Sequence, residues 1–431
     1  PESSIINYTS SMQVFKFGGA SVSNYEKVQN LGRIIQQFPD EQLLIVISAM
    51  GKTTNALEKV AEAFFAGKRE EALQLFRAVK LQHLDEAKFL LVTHFNPLME
   101  QFNDFFTEVE WLLHDEPVRE YDYYYDQIVC LGELLSTAIV SAYLNEIGVG
   151  NQWIDVRDVF RTDDNFRDAA IDFTFTQQQV NTQIKPLLTA NRIVITQGFI
   201  GCTDENESTT LGREGSDYTA AVFAYMLDAE SVAIWKDVKG VMNADPKQFA
   251  DAQYISELNY DEVIEMAFYG AQVIHPKTIK PLQNKNIPLY VKCFADAGLP
   301  GTVIHNNPVK NLPPIIVVKQ NQVLLQLHTK DYSFIGEQPM SDLYEIMAKL
   351  HIKPNLIQTH AVNLQLCIDD RPDKVEKLAL AASAEFDVQV EKGLTLLSIR
   401  HYNNDTLEKL TAGKRIELKQ QSPETVQMLL Q

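Results

Sequence analysis

Three observations predict an α/β protein with a largely parallel sheet between helices, followed by a smaller α+β region. Short apolar strands alternate with helical stretches through roughly the first 300 residues. A segment carrying three prolines, NNPVKNLPP at 306–314, then breaks that pattern. Beyond it, strands and helices recur in βαββαβ order. The expected organisation is therefore a catalytic-type domain over 12–305, a linker over 306–314, and a second region over 315–431. A chain of 431 residues, 45% hydrophobic and 22% charged, has the length and apolar content for two or three packed cores.

Each element follows from local pattern. Residues 13–17 and 43–48 read as short apolar strands, and Val28, Leu31, Ile35 and Phe38 recur between them at helical spacing. Ser23 followed by Glu26 reads as a capping box that starts this helix. Residues 56–147 are mostly helical, and Phe102, Phe105, Phe106 and Trp111 read as a core stripe. Further strands are expected at 152–156, 192–196, 231–235 and 288–293. After the linker, strands are expected at 315–319, 323–328, 355–359, 363–368, 387–390 and 395–400, with helices at 340–350 and 372–384.

Composition excludes several functions. Lys plus Arg number 38 against 57 Asp plus Glu, a net charge of -19, so non-specific binding to nucleic acid or an anionic membrane is not expected. Uninterrupted apolar runs such as 43–47 fall far short of a bilayer span, so no transmembrane helix is expected. Residues 1–11 lack a signal-peptide pattern and read as an extension before Met12, and the expected compartment is cytoplasmic. The four cysteines are scattered, without metal-ligand or redox spacing, and the nine histidines are dispersed, so no protein-held metal site is expected.

Four clusters carry chemistry. Lys16-Phe17-Gly18-Gly19-Ala20-Ser21 ends a strand, and glycines there let backbone N–H groups approach phosphate oxygens. Lys16 interrupts an apolar strand, an expensive place for an unpaired charge unless it binds something. Gly212-Arg213-Glu214-Gly215-Ser216-Asp217 opens an apolar helix; Ser216 or Asp217 suits a cap, and Arg213 suits a carboxylate. Trp235-Lys236-Asp237 and the stretch to Lys247 form a polar loop after a strand, where open α/β sheets collect ligands. Gly270 to Pro276 is a helix end, and His275 reads as a packed turn residue. Gly51-Lys52-Thr53-Thr54 mimics the tail of a P-loop, but Val46 stands where that motif needs glycine.

In this order, KFGGAS, SAMGKTTN, LGE at 131–133, QGFIG at 197–201, LGREGSDYTAA, WKDVKGV, ADPK and GAQVIHP resemble the aspartokinases of the amino-acid kinase superfamily. The resemblance covers nearly the whole chain from Met12 and implies an amino-acid kinase fold followed by ACT-type regulatory modules. It implies ATP with Mg²⁺, L-aspartate as phosphoryl acceptor, 4-phospho-aspartate as product, and a homodimer or larger with an amino-acid effector at the regulatory region. By matched position, Lys16 and Asp217 take the catalytic roles. Thr54, Glu133, Arg213 and Ser216 fall to the acceptor, and Lys16, Gly18, Gly19, Ser21, Lys236, Asp237, Met242, Lys247, Gln272 and Val273 to ATP. The chain departs from the family at Ala20 and Lys236, where threonine is common. It departs also at Glu214, where a small or neutral residue is common, at Met242 (often tyrosine) and at Gln272 (often lysine). The second regulatory module is short, and Asn355 stands where lysine-inhibited relatives often carry aspartate. Nothing resembling homoserine dehydrogenase follows, so the chain reads as monofunctional. The alternative is a non-catalytic amino-acid sensor that retains the kinase fold.

Overall fold

The computed structural model describes residues 12–431, so the reading of residues 1–11 lies outside the described residues. The chain divides into two compact units. The first comprises the described residues up to Val241, with Tyr254–Ile264 and Ile274–Val309; the second comprises Met242–Gln253, Glu265–Val273 and Lys310–Gln431. The change at Lys310 falls inside the 306–314 segment, but two earlier segments also belong to the second unit. Specific pairings put them there. The Ile316 N–H donates to the Asn243 carbonyl at 2.7 Å, and Asn243 Nδ2 donates to the Pro314 carbonyl at 2.7 Å. Arg400 pairs with Glu265 at 3.1 Å and Lys409 with Asp251 at 2.6 Å.

An eight-stranded sheet forms the centre of the first unit. Its strands are β1 (Met12–Phe17), β2 (Gln42–Ile47), β3 (Gln152–Trp153), β4 (Ile193–Gln197), β5 (Ser231–Lys236), β6 (Glu257–Asn259), β7 (Leu289–Cys293) and β8 (Thr302–His305). They lie in the order β6-β8-β7-β5-β1-β2-β4-β3, all parallel to their neighbours except the β7–β8 pair. Central strands of such a sheet are covered on both faces and read as continuous apolar runs. QLLIVI of β2 is buried from Leu43 to Ile47, and its neighbours β1 and β4 are almost as apolar. Trp235 is fully buried, stacked on Phe17 with centroids 5.8 Å apart.

Helices cover the sheet. The capping box expected at Ser23 is replaced by Asn24, whose side chain accepts from the Lys27 N–H at 3.0 Å and starts α1 (Tyr25–Ile35). Both readings place the start in the same turn; Asn24 is the residue adjoining the helix, and from there its side-chain oxygen reaches the N3 N–H. Then follow α2 (Thr53–Phe65), α3 (Arg69–Leu90), α4 (Phe95–His114), α5 (Tyr121–Val129), α6 (Leu131–Glu146), α7 (Gly215–Leu227) and α8 (Pro276–Lys285). On α4, Phe102, Phe105 and Phe106 are buried as expected, but Trp111 is 75% exposed. It sits five residues beyond Phe106, a rotation of more than one turn that carries it off the buried stripe. The Tyr121–Glu146 segment is long and apolar enough to cross a membrane by length and composition, yet 89% of that window is buried inside the protein. Its apolarity serves the core.

In the second unit the two strands expected at 315–319 and 323–328 are one, β9 (Ile315–Thr329), with a register shift between Lys319 and Gln322. The same holds for 387–390 and 395–400, which are one strand, β12 (Phe386–Arg400). Polar residues at the irregularity look like a turn in sequence, while pairing resumes beyond it in a shifted register. With β10 (Leu356–Thr359), β11 (Asn363–Asp369), β13 (Ile416–Gln421) and β14 (Thr425–Leu430), these make a six-stranded sheet ordered β10-β11-β9-β12-β14-β13. Helices α9 (Glu337–Lys349) and α10 (Pro372–Ala382) bury Leu343, Met347, Val375 and Leu378 against Leu325, Leu327, Leu364 and Leu366. Each such side chain contributes about 1.5–3 kcal/mol of apolar burial.

His83 links α3 to the start of α2. It is fully buried; its Nδ1 donates to the Val79 carbonyl at 2.8 Å, and Nε2 faces Thr53 Oγ1 at 3.3 Å. Burial, opposed weakly by the Val79 contact, lowers its pKa to about 4. A depressed imidazole stays neutral in the fold while the unfolded chain takes up a proton below its ordinary value of 6.5. Stability is therefore complete above pH ~6.5 and falls, on the order of 3 kcal/mol from this group, as pH drops towards 4. Urea titrations across that range are expected to show a shallower pH slope in His83→Gln than in the wild type.

Candidate active site

The carboxyl ends of the four adjacent parallel strands β5, β1, β2 and β4 open into one cavity of about 700 Å³. Such edges gather ligands because loops and helix starts converge there. Lys236 and Asp237 enter from β5, Lys16 to Ser21 from β1, Ser48 from the end of β2, and Phe199 from beyond β4. Thr54 of α2, Glu133 of α6, and Arg213 to Asp217 at the start of α7 complete most of the wall.

The glycine pair is a matter of space. A Cβ on Gly19 would lie 2.6 Å from the Ala49 carbonyl oxygen and 3.1 Å from that of Gly51, and the Gly51 N–H donates to the Gly19 carbonyl at 3.0 Å. The two loops touch backbone to backbone. Residues Gly19–Val22 form a 3-10 turn, with Ser21 Oγ donating to the Trp235 carbonyl at 3.3 Å, so the loop is fastened to β5 before α1 begins. Gly198 plays the same part beside α7, where a Cβ would lie 2.5 Å from that of Ser216.

Charge is organised by Asp217. Its Oδ1 lies 2.5 Å from Lys16 Nζ and its Oδ2 3.7 Å from Lys236 Nζ. Burial alone pushes this carboxyl up, but the two ammonium groups outweigh it and hold its pKa below the usual range. Glu133, also buried, has the opposite fate. Burial pushes its pKa up to about 8, although Oε1 accepts the Ala49 N–H at 3.1 Å and Lys16 opposes the shift. Its Oε2 is buried with no hydrogen-bond partner among the described residues. A third buried carboxylate, Asp126, is pushed by burial to about 6, against the donors Arg167 N–H, Thr210 Oγ1 and Thr210 N–H.

Lys16, Gly18, Gly19, Ser21, Thr54, Glu133, Arg213, Ser216, Asp217, Lys236 and Asp237 all line the cavity. Arg213 is exposed and makes no ion pair among the described residues, while Asp237 pairs with Lys27 at 3.6 Å. Met242, Lys247, Gln272 and Val273 are not in this lining; they belong to the second unit. Neither Ser216 nor Asp217 caps α7, because Glu214 holds the N-cap position at φ +55°. The Glu214 carboxylate instead accepts the His275 N–H at 3.0 Å, and the His275 ring accepts the Lys277 N–H, capping α8. Sequence reasoning passed over Tyr125, Arg167, Phe199 and Thr210, which also line the cavity. None but Phe199, within QGFIG, lay in a recognisable motif.

Clustered ammonium groups held by one carboxylate, beside a backbone-lined loop and an unpartnered buried carboxylate oxygen, make a site for charged small molecules. Comparison with known proteins gives the class. The sequence model of the Amino acid kinase family matches residues 11–293. Lysine-sensitive aspartokinase 3 of Escherichia coli is 32% identical over 417 residues, covering 94% of this chain and 90% of its own. The crystal structure of E. coli aspartokinase III with aspartate and ADP superposes with a TM-score of 0.80 at 30% identity, covering 97% of this chain and 96% of that one. The same enzyme with lysine and aspartate gives 0.81. The chain belongs to the amino acid kinase family and, within it, to the aspartokinases.

The close approach at the glycine loop is testable. Gly19→Ala forces a shift against backbone rather than a flexible side chain, which costs about 1–3 kcal/mol. A lower midpoint in urea unfolding is expected; an unchanged midpoint contradicts the contact.

Proposed function

We propose that this chain transfers the γ-phosphoryl group of ATP to the side-chain carboxylate of L-aspartate, giving 4-phospho-L-aspartate and ADP, the first step toward lysine, threonine and methionine. The observation that carries this reading is one cavity holding a lysine pair on Asp217 together with Arg213 and the unpartnered Glu133 Oε2. An amino acid with a second carboxylate has complementary charges. Similarity over nearly the whole chain to aspartokinases favours turnover over a sensor that only retains the fold.

The acceptor carboxylate is already an ionised nucleophile, so no general base is required and positioning with charge neutralisation does the work. Its oxygen forms the new bond to phosphorus as the bond from phosphorus to the bridging oxygen of ADP breaks. Lys16 neutralises the transferring group, and the Gly18–Ser21 backbone supports the phosphates. Arg213 offers a bidentate fork to the other carboxylate, Glu133 Oε2 takes the ammonium, and Thr54 and Ser216 supply hydroxyls to the acceptor. Lys236 and Asp237 lie on the nucleotide side, where Met242, Lys247, Gln272 and Val273 are assigned by resemblance. No cluster of three or more metal-ligating side chains exists among the described residues. Asp237, which lines the cavity, is the carboxylate that would hold Mg²⁺ brought with the nucleotide, and the ion would supply charge neutralisation there.

Steady-state turnover with ATP and L-aspartate or L-glutamate tests the reading, and absence of aspartate turnover overturns it. The state of Glu133 adds a sign. Below pH ~8 its carboxyl is protonated in the empty site, and an ammonium needs the ionised form. Aspartate binding at pH 7 is therefore expected to release a proton and to tighten up to about tenfold per pH unit towards pH 8. Calorimetry in buffers of different ionisation enthalpy measures the release; Glu133→Gln should abolish it.

Regulation belongs to the same reading. The similar E. coli structure with lysine supports an amino-acid effector. In this chain Asn355 is engaged internally: Oδ1 accepts from Lys319 Nζ at 2.7 Å, and Nδ2 donates to Gln322 Oε1 at 2.7 Å and Asp369 Oδ1 at 2.8 Å. Turnover with added lysine, threonine or methionine identifies the effector. Strand β10 is the end of the second sheet that falls within residues 315–400, and an open edge is a template for pairing with another chain. A homodimer or larger through residues 315–400 is expected by light scattering at micromolar concentration; a monomeric mass contradicts it.

A further inference from the structure

Arg167 sits in no motif, yet the structure builds a support for it. Its backbone is left-handed at φ +69°, a conformation that non-glycine residues adopt rarely. Asp126 holds it there: Oδ2 accepts the Arg167 N–H at 3.0 Å and the Thr210 N–H at 2.8 Å, while Oδ1 accepts Thr210 Oγ1 at 2.8 Å. One buried carboxylate thus joins the Arg167 backbone to the Thr210 wall of the cavity. The guanidinium lies over the Tyr125 ring, 4.3 Å from its centroid, and Nη1 donates to Asp122 Oδ1 at 3.1 Å. Nε and Nη2 make no hydrogen bond among the described residues. Arg167, Thr210 and Tyr125 all line the cavity that Arg213 lines. A guanidinium stacked and tethered in this way loses little freedom when a carboxylate arrives.

Resting on the reading that the acceptor is a dicarboxylic amino acid, we infer that Arg167 is a second binding residue, with Arg213, for the carboxylate that is not phosphorylated. Lys16 and Lys236 are already committed to Asp217 at the strand ends. The two arginines are the cations left for the acceptor's other end. Their joint presence makes the site select for charge there as well as at the reacting carboxylate. Charge-assisted bonds of this kind shift affinity by about tenfold or more.

The test compares L-aspartate with its 1-amide, which keeps the ammonium and the side-chain carboxylate but lacks charge at the α-position. Arg167→Asn removes the cation and keeps a residue that tolerates positive φ. Its aspartate KM is expected to rise about tenfold with kcat within about twofold, while the KM for the amide stays unchanged within about twofold. Arg167→Lys should fall between, since a point charge replaces a fork. Retained MgADP affinity and thermal midpoint show that the variants are folded. An equal rise for both acceptors means that Arg167 only braces Tyr125 and overturns the inference, as does an unchanged aspartate KM. A wild type inactive on aspartate overturns the underlying reading and this inference together; an active one with an indifferent Arg167→Asn overturns this inference alone.

Discussion

The Asp217 carboxylate between Lys16 and Lys236 is the interaction on which the site depends. Lys16 lies in β1 between Phe15 and Phe17, with 8% of its surface exposed. Left unpaired, an ammonium there would be costly to bury. Asp217, 3% exposed, would take up a proton without its cations. The two lysines keep Asp217 ionised. Removing one member of such a buried pair costs about 3–5 kcal/mol, because the survivor is stranded. The geometry also explains why the strand and helix meet where they do. β1 supplies one charge and the first turn of α7 the other, and Gly198 lets the loop after β4 press against that turn.

Three buried carboxyl groups around one cavity behave in three ways, for reasons visible in their neighbours. Asp217 faces two ammonium groups and is held low; Asp126 has three hydrogen-bond donors and is raised to about 6; Glu133 has the Ala49 N–H and the more remote charge of Lys16, and rises to about 8. Burial is common to all three. The partners decide the outcome: one holds two ammonium groups, one fastens loop to wall, and one keeps an oxygen with no hydrogen-bond partner among the described residues.

How much of this was legible in the sequence depends on the range of the information. β1, β2 and the glycine loop are set by contiguous residues, and their motifs survive translation into structure with shifts of a residue or so. The start of α1 is decided by which of two adjacent polar residues reaches the N3 N–H, and Asn24 took the place expected for Ser23. Trp111 shows the limit of counting apolar spacing, since a helix face is a matter of angle and of what lies opposite. In the second unit, polar residues at 320–322 mimic a turn, yet the strand resumes beyond a register shift, because pairing with β12 runs on both sides of the irregularity.

The sequence by itself determined the alternating strands and helices, the family, and the chemical types gathered at the strand ends, because each is written in short segments with strong local preference. Tertiary structure decided the rest. It placed residues 242–253 and 265–273 in the second unit through bonds to Pro314, Ile316, Arg400 and Lys409, none of them neighbours in sequence. It raised Glu133 and lowered Asp217 by choosing their surroundings. It also brought Arg167 to the cavity through a carboxylate 41 residues away in the chain. Burial and charge pairing are properties of what folds against a residue, and no local pattern carries them.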